Sequence, residues 1–276
     1  MKSSEIKPGD PAWPEALATV DGAPKTLWVR GVLPEGRSVA VVGARGAGAE
    51  GIEAAHAVAV GLARRGITVV SGGAIGIDGA AHRGALEAGG TTVVVLGTGI
   101  DIAYPPQHAP LFDTVVERGG AVISQFPPGS PASRWSFPAR NRVIAGLSEA
   151  VVVIDASASS GALYTAAAAR DYRRPVIVLV GTAGCDTLAA SGALHARSAD
   201  DILARIDGAE VASPPLPVDP RALKLYEALD ETPRDLGEVA ARAGIRTDEA
   251  MSLAIELELG GLAARAAGGR YLRLNR

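Results

Sequence analysis

Short apolar runs rich in β-branched residues alternate with helix-like stretches through most of this chain. Each run is about 4–6 residues long, which is typical of strands buried on both faces of a sheet. Because strands that alternate with helices form parallel sheets covered on both faces, the pattern predicts an α/β fold of this kind. The strands are expected at Val39–Val42, Ile67–Val70, Thr91–Leu96, Ala121–Ile123, Val151–Ile154 and Val176–Val180.

The stretches between these runs have the apolar spacing of amphipathic helices. In the first of them, four apolar residues from Ile52 to Leu62 fall on one stripe that can cover a sheet. Helices are therefore expected at Gly51–Arg65, Asp78–Ala88, Gln107–Arg118, Arg140–Leu147 and Gly161–Tyr172.

Proline-rich segments divide the chain into parts. Residues 1–35 contain five prolines and are expected to form an extended arm on the main domain, with a short strand at Leu27–Arg30. The main domain is expected to span residues 36–208. The segment Ala209–Pro220 contains four prolines, which predicts a stiff linker between this domain and the last part of the chain.

The last part, Arg221–Arg276, has the pattern of a small winged-helix domain. Three helices are expected at Ala222–Leu229, Asp235–Ala243 and Thr247–Leu259, followed by a β-hairpin that turns at Gly268–Gly269. The apolar residues of the third helix, Leu253, Ile255, Leu257 and Leu259, are expected to supply its core.

Composition excludes several classes of protein. The 27 Lys and Arg residues are balanced by 30 Asp and Glu, so any contact with nucleic acid must come from a local patch. The lone cysteine, Cys185, excludes an intramolecular disulfide and a cysteine-built metal site, and no metal is expected. The polar start and the lack of a long apolar run predict a soluble, cytoplasmic protein with no membrane contact.

Glycine-containing loops follow the first three strands of the main domain. In parallel α/β folds, ligands bind beyond the carboxyl ends of the strands, where glycines let the backbone approach phosphates. The first loop, Gly43–Gly48, lacks the spacing of the dinucleotide fingerprint, and no Gly-Lys-Ser/Thr occurs, so no cofactor is expected. The phosphate contacts expected here are Gly43, Ser71, Gly72 and Gly97.

The segment Ser124–Ser148 contains no acidic residue but carries three arginines and three of the six Phe and Trp residues of the chain. Arginine pairs with phosphates and aromatic rings stack on bases, which favours a nucleotide or single-strand surface. The alternative is a loop held by hydrophobic contacts with solvated arginines. The arginines are Arg134, Arg140 and Arg142, and the aromatic residues are Phe126, Trp135 and Phe137.

A third candidate anion site follows the fifth predicted strand. Ser160 and Gly161 open the next helix and Thr165 lies one turn further on. The free N–H groups at a helix start bind anions, so these residues are expected to contact phosphate.

At this point the sequence resembles the DNA-processing protein A family (DprA/Smf). The segments VVGAR, SGGAIGIDGAAHRGAL, VLGTGIDIAYPPQHAPLF, FPARNRVIAGLS and SGALYTAAAARDYRRPVIVLVG occur in the family's order, between about residues 10 and 206. The resemblance implies an extended Rossmann-like fold, single-stranded DNA binding, homodimerisation, and loading of the RecA recombinase during natural transformation. The DNA-contacting positions it implies are Arg45, Arg134 and Phe137, beside the Arg140-Asn141-Arg142 motif.

Three positions depart from the family pattern. Ile75 stands where an arginine is usual, Gln125 replaces a glutamate, and Val180 replaces a proline. By the resemblance, the loss of this arginine weakens one phosphate contact expected in the family.

Two further function classes stay open. The LOG-type nucleotide phosphoribohydrolases have a similar fold but carry a catalytic glutamate at a helix start, where Ala156–Ala169 has no carboxylate. An enzyme of that kind needs an acid, so its absence favours a non-enzymatic binding protein. The other class is a small-ligand sensor that acts through the winged helix.

Three isolated acidic residues are expected to have structural rather than catalytic roles. Asp78, four residues before His82, is expected to cap a helix rather than to form a catalytic pair. Asp101 is expected to be a turn residue of the same kind, and Asp155, at the end of a strand, to be structural.

The third helix of the winged helix carries four acids and no base, which favours a protein-contact module over a DNA reader.

Overall fold

The computed structural model describes residues 3–156, 160–179, 185, 188–189, 192–208, 216–217, 219–259 and 262–273. Within them, one large sheet forms the centre of the first 208 residues. Its strands are β1 (Ser4–Ile6), β2 (Leu27–Gly31), β3 (Ser38–Gly43), β4 (Thr68–Ser71), β5 (Thr92–Leu96), β6 (Ala121–Ser124), β7 (Ala150–Asp155), β8 (Val176–Leu179) and β9 (Leu194–Ala196).

The spatial order of the strands is β1-β2-β6-β5-β4-β3-β7-β8-β9. Strands β3 to β9 pair in parallel, whereas β2 runs antiparallel to β6 and β1 antiparallel to β2. The chain moves from β3 toward β6 on one side and restarts with β7 on the other side of β3. The topological switch point, where ligands bind in such sheets, therefore lies beyond β3 and β7.

Helices cover both faces of this sheet, as the alternating pattern predicts. One face carries α1 (Glu15–Ala18), α5 (Ser136–Leu147) and α6 (Ala162–Asp171), and their side chains pack on Ala40, Val42, Val151 and Val153. The other face carries the remaining helices of this part, over the alternate residues of the same strands. They are α2 (Ala49–Ala63), α3 (Ile77–Glu87), α4 (Ala109–Glu117) and α7 (Ala199–Ile206), with a 3₁₀ turn at Pro106–His108.

The N-terminal residues contain the short strand predicted at Leu27–Arg30, observed as β2, but the rest of the segment differs from the expected extended arm. They contribute two strands and a short helix, and β2 pairs with β6 from Trp28–Ser124 to Gly31–Ala121. The pairing covers the backbone groups that β6 would otherwise expose at the sheet edge. The predicted parallel sheet is confirmed for β3 to β9, and β1 and β2, which come from a segment outside the alternating pattern, add an antiparallel edge to it.

Helix α5 begins four residues earlier than the apolar spacing predicts. Pro138 lies in its first turn, where the missing N–H of a proline has no partner to lose. The earlier start places Phe137 inside the helix. Other predicted boundaries fall within two residues of the observed ones, except that the C-terminal end of the last predicted strand, at Val180, lies outside the described residues.

The C-terminal part forms the three helices and hairpin of a winged helix. Tyr271 of the hairpin is buried with Leu225, Val239 and Leu253 in one small core. Ile255 is 46% exposed, so its predicted place in this core is wrong; Ala250 and Ala254 take part instead. The elements are α8 (Pro220–Ala228), α9 (Leu236–Ala243), α10 (Thr247–Leu259), β10 (Ala263–Arg265) and β11 (Tyr271–Arg273).

Candidate nucleic-acid interface

A pocket of about 520 Å³ opens at the switch point of the sheet. Its wall is formed by the loop after β3, the start of α3, one face of α5, the end of β7 and the start of α6. Eight of the predicted site residues line it, although they are spread over more than 120 positions of the sequence. They are Gly43, Arg45, Phe137, Arg140, Asn141, Ser160, Gly161 and Thr165.

Arg140 is the deepest cation of the pocket. Only 5% of the residue is exposed, and its Nη1 donates to the carbonyl oxygens of Gly72 and Val95, the latter at 2.6 Å. Its Nε donates to Asn141 Oδ1 at 3.0 Å, while Nη2 has no hydrogen-bond partner among the described residues. Burial lowers the pKa of Arg140 to about 10, so the guanidinium stays charged at neutral pH. Because Nη2 has no partner in the described chain, it is the nitrogen that can donate to a ligand.

Gly72 is needed for this arrangement rather than for a phosphate. A Cβ added to Gly72 would collide with the guanidinium of Arg140. The predicted neighbour Ser71 is fully buried, and its hydroxyl donates to Val41 O at 2.7 Å. Neither residue lines the pocket. Both lie behind its wall, where Gly72 leaves space for Arg140 and accepts a hydrogen bond from it.

Asp78 lies in the first turn of α3 and not at its N-cap position, which Gly76 occupies. The predicted capping role is therefore wrong. The buried carboxylate accepts the Ala74 N–H at 3.2 Å and so holds the loop after β4 from inside the helix. Burial raises the pKa of Asp78, although the charge of Arg140 opposes that shift.

His82 points into the protein interior and is fully buried. Its Nδ1 lies 2.7 Å from Thr92 Oγ1, and the Thr92 hydroxyl donates to Val69 O. Burial lowers the pKa of His82 to about 3, so the ring is neutral. His82 does not line the pocket, and the spacing of Asp78 and His82 does not create an acid–base pair there.

Arg45 and Phe137 form the mouth of the pocket. Arg45 is exposed, and its Cζ lies 5.0 Å from the centroid of the half-buried Phe137 ring. Tyr104 packs on the same ring with centroids 5.4 Å apart and is itself 38% exposed. A cation and two aromatic rings are therefore open to solvent beside the buried charge of Arg140.

Gly97 makes room for this aromatic cluster. A Cβ added to Gly97 would lie 2.8 Å from Phe137 Cδ1, so a larger residue would push the ring out of place. The structure thus places Gly97 behind Phe137 and outside the pocket wall. Sequence reasoning missed Tyr104, because nothing in the order of residues shows that the loop after β5 folds against α5.

The start of α6 faces the pocket and is held by α5. Asn141 Nδ2 donates to Gly161 O at 3.1 Å, and Ser160 Oγ accepts the Ala162 N–H at 3.3 Å. Thr165, one turn further on, is buried, and its hydroxyl has no hydrogen-bond partner among the residues described here. The positive end of the helix dipole and a free hydroxyl therefore add to the anion-binding groups.

Two predicted arginines lie outside the pocket. Arg142 Nη1 pairs with Asp171 Oδ2 at 3.0 Å, and its Cζ lies 4.8 Å from the Tyr172 ring, so its charge is already engaged there. Arg134 lies over the Trp135 ring at 5.1 Å, and both residues are exposed just before α5. The Arg134–Trp135 stack is thus a separate surface feature that precedes the pocket residues along the chain.

Two of the positions that depart from the family pattern are described. Ile75 is 52% exposed in the loop after β4, so an arginine here would reach solvent beside Ala74 of the pocket wall. Gln125 follows β6, and its Nε2 is buried without a partner within the described part of the chain. Asp101 lies in a turn, as predicted, and its carboxylate accepts the Gly129 N–H at 2.8 Å, which joins two loops.

Membrane and metal sites were sought in the same part of the chain. No helix among residues with described placement is both long and apolar enough to cross a bilayer. The same residues contain no group of three or more His, Cys, Asp or Glu side chains placed to hold a metal ion.

An α/β sheet with a cationic and aromatic pocket at its switch point, followed by a winged helix, defines a protein of the Rossmann-like class. The sequence matches DNA recombination-mediator protein A over residues 5–207 and the DprA winged helix domain over residues 209–269. The chain belongs to the DNA-processing protein A family, DprA/Smf.

Individual relatives agree with this assignment. The putative DNA processing protein DprA of Mycobacterium tuberculosis is 38% identical over 290 residues, which cover 94% of this chain and 74% of the relative. The X-ray structure of DprA from Streptococcus pneumoniae superposes with a TM-score of 0.67 at 34% identity, over 76% of each chain. A Helicobacter pylori DprA structure that addresses its single-stranded DNA binding mode gives a TM-score of 0.66 at 25% identity, over 75% of this chain and 96% of that one.

Proposed function

We propose that this protein binds single-stranded DNA at the switch-point pocket and does so without strong sequence preference. The observation that carries the proposal is the exposed Arg45 guanidinium over the Phe137 ring, directly beside the buried Arg140. A base can stack on an aromatic ring whatever its identity, while arginines follow the phosphates.

The backbone of the DNA would be held at the inner end of the pocket. The Nη2 atom of Arg140 and the Thr165 hydroxyl offer donors to one phosphate, the positive end of the α6 dipole faces the same place, and Arg45 offers a second cation at the mouth. Charge-assisted hydrogen bonds of this kind are about twice as strong as neutral ones. The overall charge of −3 makes a local site of this kind necessary, since the surface as a whole does not attract DNA.

A continuation of the strand beyond the pocket would meet the Arg134–Trp135 stack. Trp135 is 73% exposed, which is unusual for a tryptophan and is explained if its ring stacks on a further base. Arg134 over the same ring would add a cation at that point. This supports keeping Arg134 in the proposed interface, whereas Arg142 is left out of it.

The protein would act as a binding protein and not as an enzyme. Asp78 is engaged by the Ala74 N–H, and the neutral His82 lies away from the pocket, so these groups offer no acid–base pair to a ligand. Membership of the family supports the further proposal that the chain works in the cytoplasm as a homodimer that protects incoming DNA and loads the RecA recombinase in natural transformation.

We also propose that residues 36–208 with the N-terminal strands form the DNA-binding unit, and that the winged helix is a separate module joined by the linker 209–220. The third helix of the module, α10, presents acidic residues and the exposed Met251 and Ile255, a surface suited to a protein partner. Phosphate repulsion by these acids opposes insertion of α10 into a DNA groove.

The test is an anisotropy titration of a labelled 20-mer of oligo-dT and of a blunt duplex, each at two salt concentrations. We expect tighter binding of the single strand, with an affinity that falls by about 0.7 log units per log unit of salt for each phosphate neutralised. Equal or tighter binding of the duplex would refute the proposed function.

A further inference from the structure

Asp155 is a carboxylate in the wall of an anion-binding pocket. It ends β7, next to Gly43 at the end of β3, and lines the same cavity as Arg45 and Arg140. The side chain makes no hydrogen bond and no ion pair among the described residues, unlike Asp78, whose carboxylate accepts a backbone N–H. Its acceptor oxygens are therefore available to a ligand.

The surroundings of Asp155 do not neutralise it. Its Oδ2 lies 3.6 Å from the place where a Cβ on Gly51 would stand, so the carboxylate lies against the first turn of α2, yet no N–H of that turn donates to it. Partial burial raises the pKa of Asp155, with no neighbouring cation to oppose the shift. A carboxylate in this state gains from a ligand that brings its own N–H or O–H donors.

A bare phosphate would leave this carboxylate unpaired and would be repelled by it. The ligand that fits both ends of the pocket is anionic at one end and rich in donors at the other. A volume of about 520 Å³ lies within the range of small-molecule sites, and Phe137 offers a ring for stacking. A single nucleotide has all three properties.

We propose that Asp155 is a specificity-determining residue for free nucleotides, which accepts two neighbouring donors from a nucleoside monophosphate bound in the pocket; this inference goes beyond the proposed binding of a DNA strand. Two parts of a nucleotide offer such a pair. One is the N1–H and N2–H edge of guanine, and the other is the 2′,3′-diol of ribose, which acidic residues bind in dinucleotide folds. In both cases the free carboxylate is the acceptor and the phosphate occupies the cationic end.

The experiment is a calorimetric titration of the full chain with GMP, dGMP, AMP and dAMP, with inorganic phosphate as a fifth ligand. We expect the nucleotides that carry a donor pair to bind more tightly than dAMP by at least about fivefold, roughly 1 kcal/mol. If GMP and dGMP are the two tight ligands, the donor pair belongs to the guanine base. If GMP and AMP are the two tight ligands, the donor pair belongs to the ribose. Affinities of all four nucleotides that agree within fivefold, or no binding of any of them, would overturn the proposal.

The variant Asp155→Asn tests the residue itself. Because its amide keeps only one acceptor oxygen, we expect the preference over dAMP to fall below about fivefold, while inorganic phosphate binds at least as tightly as before. Asp171→Asn, which removes a carboxylate outside the pocket, is the matched control and should keep the preference. A preference that survives unchanged in Asp155→Asn would also overturn the proposal.

The wild-type titration alone can refute the inference, so the outcome does not depend on whether the variant folds. The two proposals also fail separately. A chain that binds oligo-dT but treats the four nucleotides alike loses only the inference on Asp155, whereas a chain that binds neither oligo-dT nor any nucleotide refutes the proposed function.

Discussion

The Arg45 guanidinium lies over the Phe137 ring, with 5.0 Å between Cζ and the ring centroid, although 92 positions separate the two residues. One follows β3 and the other opens α5. The fold brings them together because the loop after β3 and the start of α5 meet at the carboxyl edge of the sheet. An exposed cation and an aromatic face thus share one point of the surface, and the account of DNA binding depends on this pair.

Removal of either member of the pair should weaken DNA binding. Phe137→Ala should lose about 1–3 kcal/mol of oligo-dT binding if the ring stacks on a base. Arg45→Ala should lose binding and reduce the salt dependence, while an exposed arginine change costs under about 0.5 kcal/mol of stability. Anisotropy titrations and melting temperatures measure both quantities.

Arg118→Ala is the matched control for these two variants, because Arg118 is exposed and follows α4 at the opposite edge of the sheet. It should bind oligo-dT as the wild type does. If both pocket variants also bind as the wild type does, the site lies elsewhere.

Substitution of the two arginines of the Arg140-Asn141-Arg142 motif should change the stability of the protein by different amounts. Arg140→Met leaves the carbonyls of Gly72 and Val95 without their donor, so we expect a loss of about 3 kcal/mol in the free energy of unfolding. Arg142→Ala removes a partly exposed ion pair and should cost about 1 kcal/mol or less, with unchanged oligo-dT affinity. Urea unfolding at pH 7 measures the stabilities; a weakly destabilised Arg140→Met would show that these hydrogen bonds are absent in solution.

The buried His82 predicts a pH dependence of stability. Its folded pKa of about 3 lies below the ordinary value of 6.5, so the unfolded chain binds the proton more readily. The neutral ring therefore makes its full contribution to the free energy of unfolding above pH 6.5, and this contribution is lost as the pH falls toward 3. At pH 5 the loss should reach about 2 kcal/mol.

His82→Asn isolates this contribution, because its amide can still donate to Thr92 Oγ1 but does not titrate. The variant should be less stable than the wild type at pH 8, and the difference should shrink by about 2 kcal/mol at pH 5. Urea midpoints at the two pH values measure it. A difference of the same size at both would mean that His82 is not buried as a neutral ring.

Deletion of the winged helix tests whether the first 208 residues fold and bind DNA without it. A protein that ends at residue 208 should fold and keep its oligo-dT affinity, because the elements of the large sheet and its helices all lie before that point in the described chain. The measurement is the anisotropy titration used above. A loss of more than about tenfold, roughly 1.4 kcal/mol, would show that the winged helix belongs to the DNA site.

The sequence predicts most of the fold and the position of the site. Strands β3 to β8 follow from their β-branched runs, and the pocket follows from the rule that ligands bind beyond the carboxyl ends of parallel strands. The N-terminal strand Ser4–Ile6 could not be predicted, because three residues carry no periodicity and its pairing with β2 is a tertiary contact.

The role of each arginine could not be read from the motif either. Arg140 and Arg142 stand two positions apart on one helix, so they point to different sides of it. One enters the pocket wall and the other pairs with Asp171. Likewise, Gly72 and Gly97 look like phosphate-binding glycines, but the side chains of Arg140 and Phe137 occupy the space that their missing Cβ atoms leave.

The most direct test of the central claim is to find where the single strand touches the protein. An oligo-dT that carries 5-iodouracil is bound to the full chain, irradiated, and the cross-linked peptides are identified by mass spectrometry. Stacking in the pocket predicts adducts on Phe137 or Tyr104, with a second group on Trp135, and their loss in Arg45→Ala at the same DNA concentration. Adducts confined to residues 219–273, or adducts on the pocket rings that persist at full yield in Arg45→Ala, would contradict the account.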